Sequence, residues 1–435
     1  MSALINACTT RRANLAARLE PGIVIVPSSQ EILRNADSHY PFRFDSGFYY
    51  LTGFTEPDAV LVQVISKDQV QNILFCRAKD IEREIWDGYR FGPAAAAEQF
   101  GFDAAYPIEE LDMRMAKLIQ NQPRIYYPLA KEMRWDRRIN RWLSDVRGLA
   151  RTGVSAPTTI LDVRATLDEM RLIKDAYEVG ILRQAAQINT QAHIRAMQFA
   201  KAGQMEYQVE AEILHDYYRQ GSRSPAYNSI VASGANSCVL HYGENNARMN
   251  DGDLLLIDAG CEVAGYASDI TRTFPVNGKF SPAQRAVYEI TLAAQEAALA
   301  SIYAGSTWNA PHDAATRVLA QGMIDLKLLK GTLDEVIEKE SYKQFYMHRT
   351  GHWMGLDVHD CGAYKIDGEW RKLAAGMVMT VEPGFYIRPA ANVPKEFENI
   401  GIRIEDDVLV TADGYENLTA ACPKTIADIE AIMAK

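Results

Sequence analysis

The chain has 435 residues, of which 48% are hydrophobic and 23% charged, a globular profile that excludes a fibrous or disordered protein and leaves room for one to three domains. Its 46 Lys+Arg against 56 Asp+Glu leave a formal charge of −10, which repels a phosphate backbone, so nucleic acid is not expected as a partner. Among Cys8, Cys76, Cys238, Cys261, Cys361 and Cys422 there is no C-x-x-C spacing and no dense disulfide framework, which fits reduced thiols in a cytoplasmic setting.

Residues 1–19, with Arg11, Arg12 and Arg18, read as an amphipathic first helix rather than a signal or transit peptide, and no apolar run is long enough to span a membrane. Up to about residue 170, short β-branched runs at 23–26, 59–65, 72–75 and 125–127 alternate with helical segments, the pattern of an α/β domain. The basic run 131–151, with Arg134, Trp135, Arg137, Arg138, Arg141, Trp142 and Arg147, reads as a solvated helix face or subunit contact. A connector over 153–159 precedes a boundary near 172, dividing the chain into 1–172 and 173–435. Asp175 and Glu178 form a capping box for a helix whose apolar face repeats at Ile181, Ala185, Ile188, Ala192, Ala196 and Phe199. Further helices are expected from Tyr207 to Gly221 and from Ser281-Pro282, where Gln284 completes a second box. Strands are expected at 252–258, 266–274, 377–382 and 400–410; their hairpin order predicts an antiparallel sheet covered by helices, an α+β domain.

The chain has no G-x-G-x-x-G, P-loop, H-E-x-x-H or G-x-S-x-G motif. It does place acidic residues in or beside apolar strands, where an unpaired charge costs several kcal/mol. Asp258 ends one run, and a hairpin with a loop over 262–265 sets it opposite Asp269. Glu382 precedes Pro383-Gly384, and alternation puts Arg403 and Glu405 on one face; a simple Arg403–Glu405 pair is the plainer alternative. Carboxylates about 4 Å apart repel by roughly 4 kcal/mol per pair at an effective dielectric near 20, so four together call for protons or multivalent cations. Two divalent ions balance them. His348, His352 and His359 cluster in the segment 348–359 and supply an imidazole. Oxygen-rich coordination with one imidazole suits Mn²⁺, with Co²⁺ or Zn²⁺ as alternatives, and such a pair can activate a bridging water for hydrolysis.

The strings at 258–274 (DAGCEVAGYASDITRTF), 348–362, 380–387 (TVEPGFYI) and 401–408 (GIRIEDDV) resemble the methionine-aminopeptidase and prolidase superfamily of peptidase family M24, with its pita-bread fold. Ala36 to Pro41, Thr52-Gly53-Phe54 and Glu84-Ile85-Trp86 are similar to the bacterial-type Xaa-Pro aminopeptidase (aminopeptidase P) branch. The resemblance implies a pita-bread catalytic domain behind a smaller creatinase-type α/β domain. It implies metal ligands Asp258, Asp269, His352, Glu382 and Glu405, with Asp269 and Glu405 bridging two ions and a bridging hydroxide that attacks the scissile carbonyl. It further implies Glu382 as the proton acceptor, and His359 and His241 as groups that bind and polarise substrate. His348 would line the pocket, and Arg403 and Tyr386 would support it by holding Asp258. The substrates would be peptides with Pro in second position, and the assembly a homodimer or homotetramer in which Trp86 closes a neighbour's pocket. Arg349, where relatives usually have a small residue, and Asp87, where an aromatic is common, depart from the pattern and bear on pocket shape. The same ligands also serve prolidases, which hydrolyse Xaa-Pro dipeptides, and a non-catalytic pita-bread binding module is the alternative from a different class.

Overall fold

The run Gly22–Pro27 (β1) is buried at all six positions, as a strand covered on both faces must be. In the computed structural model, which describes residues 2–434, it lies within a six-stranded sheet. β1 pairs antiparallel with Val60–Ile65 (β2), which pairs antiparallel with Val70–Cys76 (β3). Ala104–Pro107 (β4) runs parallel to β3; Arg124–Tyr127 (β5) runs parallel to β1, and Thr159–Asp162 (β6) parallel to β5. The described chain divides into two compact units, ending at Arg171 and starting at Leu172.

Three helices of the first unit bear on the expectations above. Ser2–Arg18 (α1) is the expected first helix, but Arg11 and Arg12 are buried. Arg12 spends its guanidinium on the carbonyls of Leu51 at 2.9 Å and Gly101 at 2.7 Å. Ile81–Asp87 (α2) is capped by Asp80 and buries none of its residues. Met133–Gly148 (α3) buries Trp135, Ile139, Trp142, Leu143 and Val146 against Ile23, Ile25 and Val62 of the sheet. The basic run on its other side is offset by acids: Arg134 meets Glu132 at 2.6 Å, and Arg138 and Arg141 meet Asp112 at 2.7 and 3.4 Å.

The second unit opens with the predicted capping box. Asp175 accepts from Glu178 N and Glu178 from Asp175 N, both at 3.0 Å, starting Ala176–Phe199 (α4). α4 packs on Glu206–Arg219 (α5), and the box of Ser281 with Gln284 starts Pro282–Ala300 (α6), which packs on Ala310–Asp325 (α7). No helix among the described residues is long and apolar enough to cross a membrane.

Between and after these helices lie Ile230–Ser233 (β7), Leu254–Ala259 (β8), Cys261–Val263 (β9), Tyr266–Ala267 (β10), Ile270–Pro275 (β11), Val378–Val381 (β12), Gly384–Ile387 (β13), Ile400–Arg403 (β14), Asp406–Val410 (β15) and Tyr415–Asn417 (β16). They form antiparallel sheets in the orders β7-β8-β11 and β12-β15-β16, with β13 and β14 as a pair.

Two details differ from the sequence expectation. The hairpin turns on Ala264-Gly265, both at positive φ, with Val263 opposite Tyr266. Asp258 is therefore opposite Thr271 and not Asp269. The shift is two residues, and because side chains alternate with period two, Asp258 and Asp269 still share a face. The single strand expected over 400–410 is instead two. β14 pairs with β13 and β15 with β12, while Glu405 between them bridges to Thr271. Buried Arg272 holds this break, donating to Glu405 O at 2.6 Å and to the Asp406 carboxylate at 2.6 Å.

Candidate metal centre

Each carboxylate reaches the site from a strand end or strand break. Asp258 is near the end of β8, Asp269 immediately precedes β11, Glu382 follows β12, and Glu405 sits at the break between β14 and β15. His352 comes from a segment that runs beside β12: Thr380 N donates to His352 O at 3.0 Å and Glu382 N to Thr350 O at 2.8 Å. Gly351 permits that approach, since a Cβ there would lie 2.1 Å from Thr380 O.

These five side chains line one cavity of about 670 Å³, together with His241, His348, Arg349, His359 and Arg403. Donor atoms of Asp269, His352 and Glu405 lie within 4.8 Å of one another. His352 Nε2 is 3.5 Å from Asp269 Oδ2 and 3.8 Å from Glu382 Oε1. Its Nδ1 donates to Trp353 O at 3.0 Å, which leaves Nε2 aimed at the carboxylates. The rings of His352 and His359 meet edge to face at 4.2 Å.

Arg403 does not pair with Glu405, as the plainer alternative had it. Its Nη2 donates to Asp258 Oδ2 at 2.6 Å and its Nη1 to the Tyr386 hydroxyl at 2.9 Å. His348 Nδ1 donates to Arg349 O at 2.7 Å, so its Nε2, 2.8 Å from the Tyr386 oxygen, accepts the tyrosine proton. One chain of bonds thus runs from Asp258 through Arg403 and Tyr386 to His348. Trp86 stands on α2 of the first unit and is 84% exposed.

Three contacts were not anticipated. Tyr227, from a loop, reaches Asp258 at 2.6 Å and also touches Asp269. Thr271 donates to Glu405 Oε2 at 2.6 Å and accepts from Arg403 Nε at 3.2 Å. Asp407 accepts from Asp269 N at 3.0 Å. Thr271 follows Asp269 by two residues, so extending the strand alternation by one step points to it; nothing in the local pattern points to Tyr227.

The electrostatics separate the carboxylates. Burial opposes ionisation of Asp258, but Arg403 together with the Tyr227 hydroxyl outweighs it and holds Asp258 below the usual carboxylate range. Burial raises Asp269 and pushes Glu382 up to about 7. Glu405 is raised well above its ordinary value by burial and by the charges of Asp269, Glu382 and Asp258. Burial lowers His352, yet its contact with Asp269 and the field of Glu382 win and raise it to about 9. Burial, then Arg403, drives His348 down to about 3, and burial followed by His352 lowers His359.

This donor set fits divalent cations. Four carboxylates, buried at Asp269 and Glu405 and partly buried at Asp258 and Glu382, meet Arg403 and His352 as cations among the described residues, and the single Tyr227 proton cannot serve Asp258 and Asp269 at once. Oxygen donors with one imidazole are what Mn²⁺-like ions accept.

An α+β scaffold carrying this cluster defines a metallohydrolase of the pita-bread type. The chain matches the model of metallopeptidase family M24 over residues 180–412 and that of the aminopeptidase P N-terminal domain over residues 8–126, and it belongs to metallopeptidase family M24. It is 45% identical to the Xaa-Pro aminopeptidase of Escherichia coli (strain K12) over 425 residues, 97% of this chain and 96% of the relative. Its structure resembles that of Pseudomonas aeruginosa aminopeptidase PepP with a TM-score of 0.97 at 48% identity, covering 99% of this chain and 98% of the other. It resembles Zn-substituted Escherichia coli aminopeptidase P in complex with product equally well, with a TM-score of 0.97 at 44% identity and coverage of 99% and 98%. The fold class expected from the sequence strings, a pita-bread domain behind an aminopeptidase P amino-terminal domain, is therefore the one found.

Proposed function

We propose that this chain is a Xaa-Pro aminopeptidase that releases the first residue from peptides with Pro in second position. The observation that carries the reading is the meeting of Asp258, Asp269, His352, Glu382 and Glu405 with His241 and His359 on one cavity, in a chain similar along its length to such enzymes. Those five residues would hold two divalent ions, Mn²⁺ by preference and Co²⁺ or Zn²⁺ as alternatives, and Asp269 and Glu405 are the carboxylates that would serve both. When bound, the ions lower the pKa of a water at neutral pH and polarise the scissile carbonyl.

The chain's own residues do the rest. Arg403 keeps Asp258 ionised and oriented, which fixes one side of the ligand set. Glu382, whose carboxylate lines the cavity beside the other donors, takes the proton of the attacking water and returns it to the proline nitrogen. The C–O bond forms, the C–N bond breaks, and the products are a free amino acid and a peptide beginning with Pro. His359 and His241 hold the substrate carbonyl oxygen as negative charge gathers on it. His348, fixed by Tyr386, lines the pocket, and its depressed pKa of about 3 keeps it neutral there.

The two domains of this reading are 1–172 and 173–435, and the assembly is a homodimer or homotetramer. Ile81, Ile85, Trp86 and Tyr89 stand exposed in and just after α2, an apolar group that suits contact with a second copy. In that arrangement Trp86 closes the substrate pocket of a neighbour; a monomer with full tripeptide activity would contradict it. Among the described residues the six cysteines form no disulfide, in keeping with a cytoplasmic location.

The test is to compare initial rates of the Mn²⁺-loaded protein on an Xaa-Pro-Xaa tripeptide and an Xaa-Pro dipeptide, with a chelated control. Chelator-sensitive release of the first residue from the tripeptide is expected. Cleavage of the dipeptide alone would make the protein a prolidase instead.

A further inference from the structure

Arg349 lies directly after His348 and lines the cavity that holds the five metal-donor side chains. Its guanidinium is held on two sides. Nη2 donates to Asn309 Oδ1, and the cation sits 4.9 Å from the centroid of the Trp370 ring. Asn309 is braced in turn, donating to Asp313 Oδ1 at 2.7 Å. Among the described residues Arg349 has no carboxylate partner, whereas the cavity's other arginine, Arg403, is committed to Asp258 at 2.6 Å.

The charges of the cavity give this a consequence. Two bound divalent ions would balance the four carboxylates, so the charge of Arg403, taken up by Asp258, and that of Arg349, on the wall of the space that a peptide enters, leave the cavity positive. A guanidinium over an aromatic face keeps its edge available, and among the described residues one of its five donors is used, on Asn309. That edge matches a carboxylate, which it can bind in parallel through two N–H groups.

We propose that Arg349 determines substrate specificity by binding a carboxylate of the peptide substrate, either its C-terminal carboxylate or an acidic side chain. This rests on the peptidase reading above. It assigns Arg349 to substrate choice and leaves bond cleavage to the residues around the metals.

The experiment measures kcat/KM of Mn²⁺-loaded wild type, Arg349→Gln and Arg349→Lys on three peptides. These are an Xaa-Pro-Xaa tripeptide with a free C-terminal carboxylate, its C-terminal amide, and an amide whose third residue is Glu. Wild type should favour a carboxylate-bearing peptide over the neutral amide by roughly fivefold, mostly through KM, as expected for one partly exposed ion pair. Arg349→Gln should abolish the preference and Arg349→Lys restore part of it. Preference for the free acid identifies the terminal carboxylate as the ligand; preference for the Glu-containing amide identifies the side chain. General damage lowers all three rates together and leaves their ratios alone. If wild type and Arg349→Gln cleave the peptides in the same ratios, the assignment is wrong while the peptidase reading stands. If wild type releases nothing from any of the three, the peptidase reading fails and the assignment falls with it.

Discussion

Arg403 grips Asp258 through a 2.6 Å bond while its other arm holds Tyr386 at 2.9 Å, and this sets Asp258 apart from the other three carboxylates of the cluster. Asp258 is held below the usual carboxylate range, whereas Asp269, Glu382 and Glu405 are all raised. One donor is thus ionised and oriented before any cation arrives. Arg403→Met should weaken Mn²⁺ binding by about 10- to 100-fold, the usual cost of losing the group that orients a metal ligand. Titration calorimetry with Mn²⁺ checks this, and an unchanged affinity would show that Asp258 needs no such support.

Crowded carboxylates make the fold depend on what neutralises them. Saturating Mn²⁺ should raise the unfolding temperature over chelated protein, by an increment worth about 2.7 kcal/mol at 100 times Kd. Asp269→Ala or Glu405→Ala should remove most of that increment together with turnover. Scanning calorimetry with and without chelator reads both, and full activity of either variant with two bound ions would refute its place among the ligands.

Glu382 and His359 should separate metal binding from turnover. Glu382→Gln keeps an oxygen toward the site but cannot accept a proton, so kcat should fall by roughly 10²- to 10⁴-fold. His359→Ala should lower kcat more than metal content, because a group that meets developing charge matters most in the transition state. Rates paired with metal analysis decide; an unchanged kcat for His359→Ala removes it from the reaction.

Acid sensitivity should have a source besides the metal donors themselves. His193, fully buried in α4, donates through Nε2 to Ala259 O at 3.3 Å, and its Nδ1 has no partner among the described residues. Burial, with help from Arg272, drops its pKa from 6.5 to about 4. The unfolded chain therefore binds the extra proton first as pH falls. The stability from neutral His193 is complete above pH 6.5 and is lost as pH falls toward 4, on the order of 3 kcal/mol in all. His193→Gln should flatten the pH dependence of unfolding free energy across that window by up to one proton. Denaturant melts at several pH values test it, and an identical slope would mean His193 is not the group.

Much of this site is legible in the sequence, for reasons that can be traced. Asp258 and Asp269 are expected on one face because strand side chains alternate, and that conclusion survives a two-residue error in register, which preserves the face. The capping boxes at Asp175 and Ser281 are local hydrogen-bond patterns, so they need no tertiary information. What escapes is long-range. Tyr227 reaches the aspartates from a loop with no periodicity to mark it. The break at Glu405 depends on Arg272, whose burial beside Asp406 comes from tertiary packing. Arg11 and Arg12 look like solvent-facing charges until the carbonyls of Leu51 and Gly101 are seen to receive Arg12. Thr271 was within reach, since continuing the alternation from Asp269 selects it.

Anomalous scattering at the manganese edge from crystals of Mn²⁺-loaded protein shows whether the five side chains hold two cations. Two peaks are expected, enclosed by Asp258, Asp269, His352, Glu382 and Glu405, with Asp269 and Glu405 touching both. Peaks bound by other residues, or none within this cavity, would contradict this ligand set.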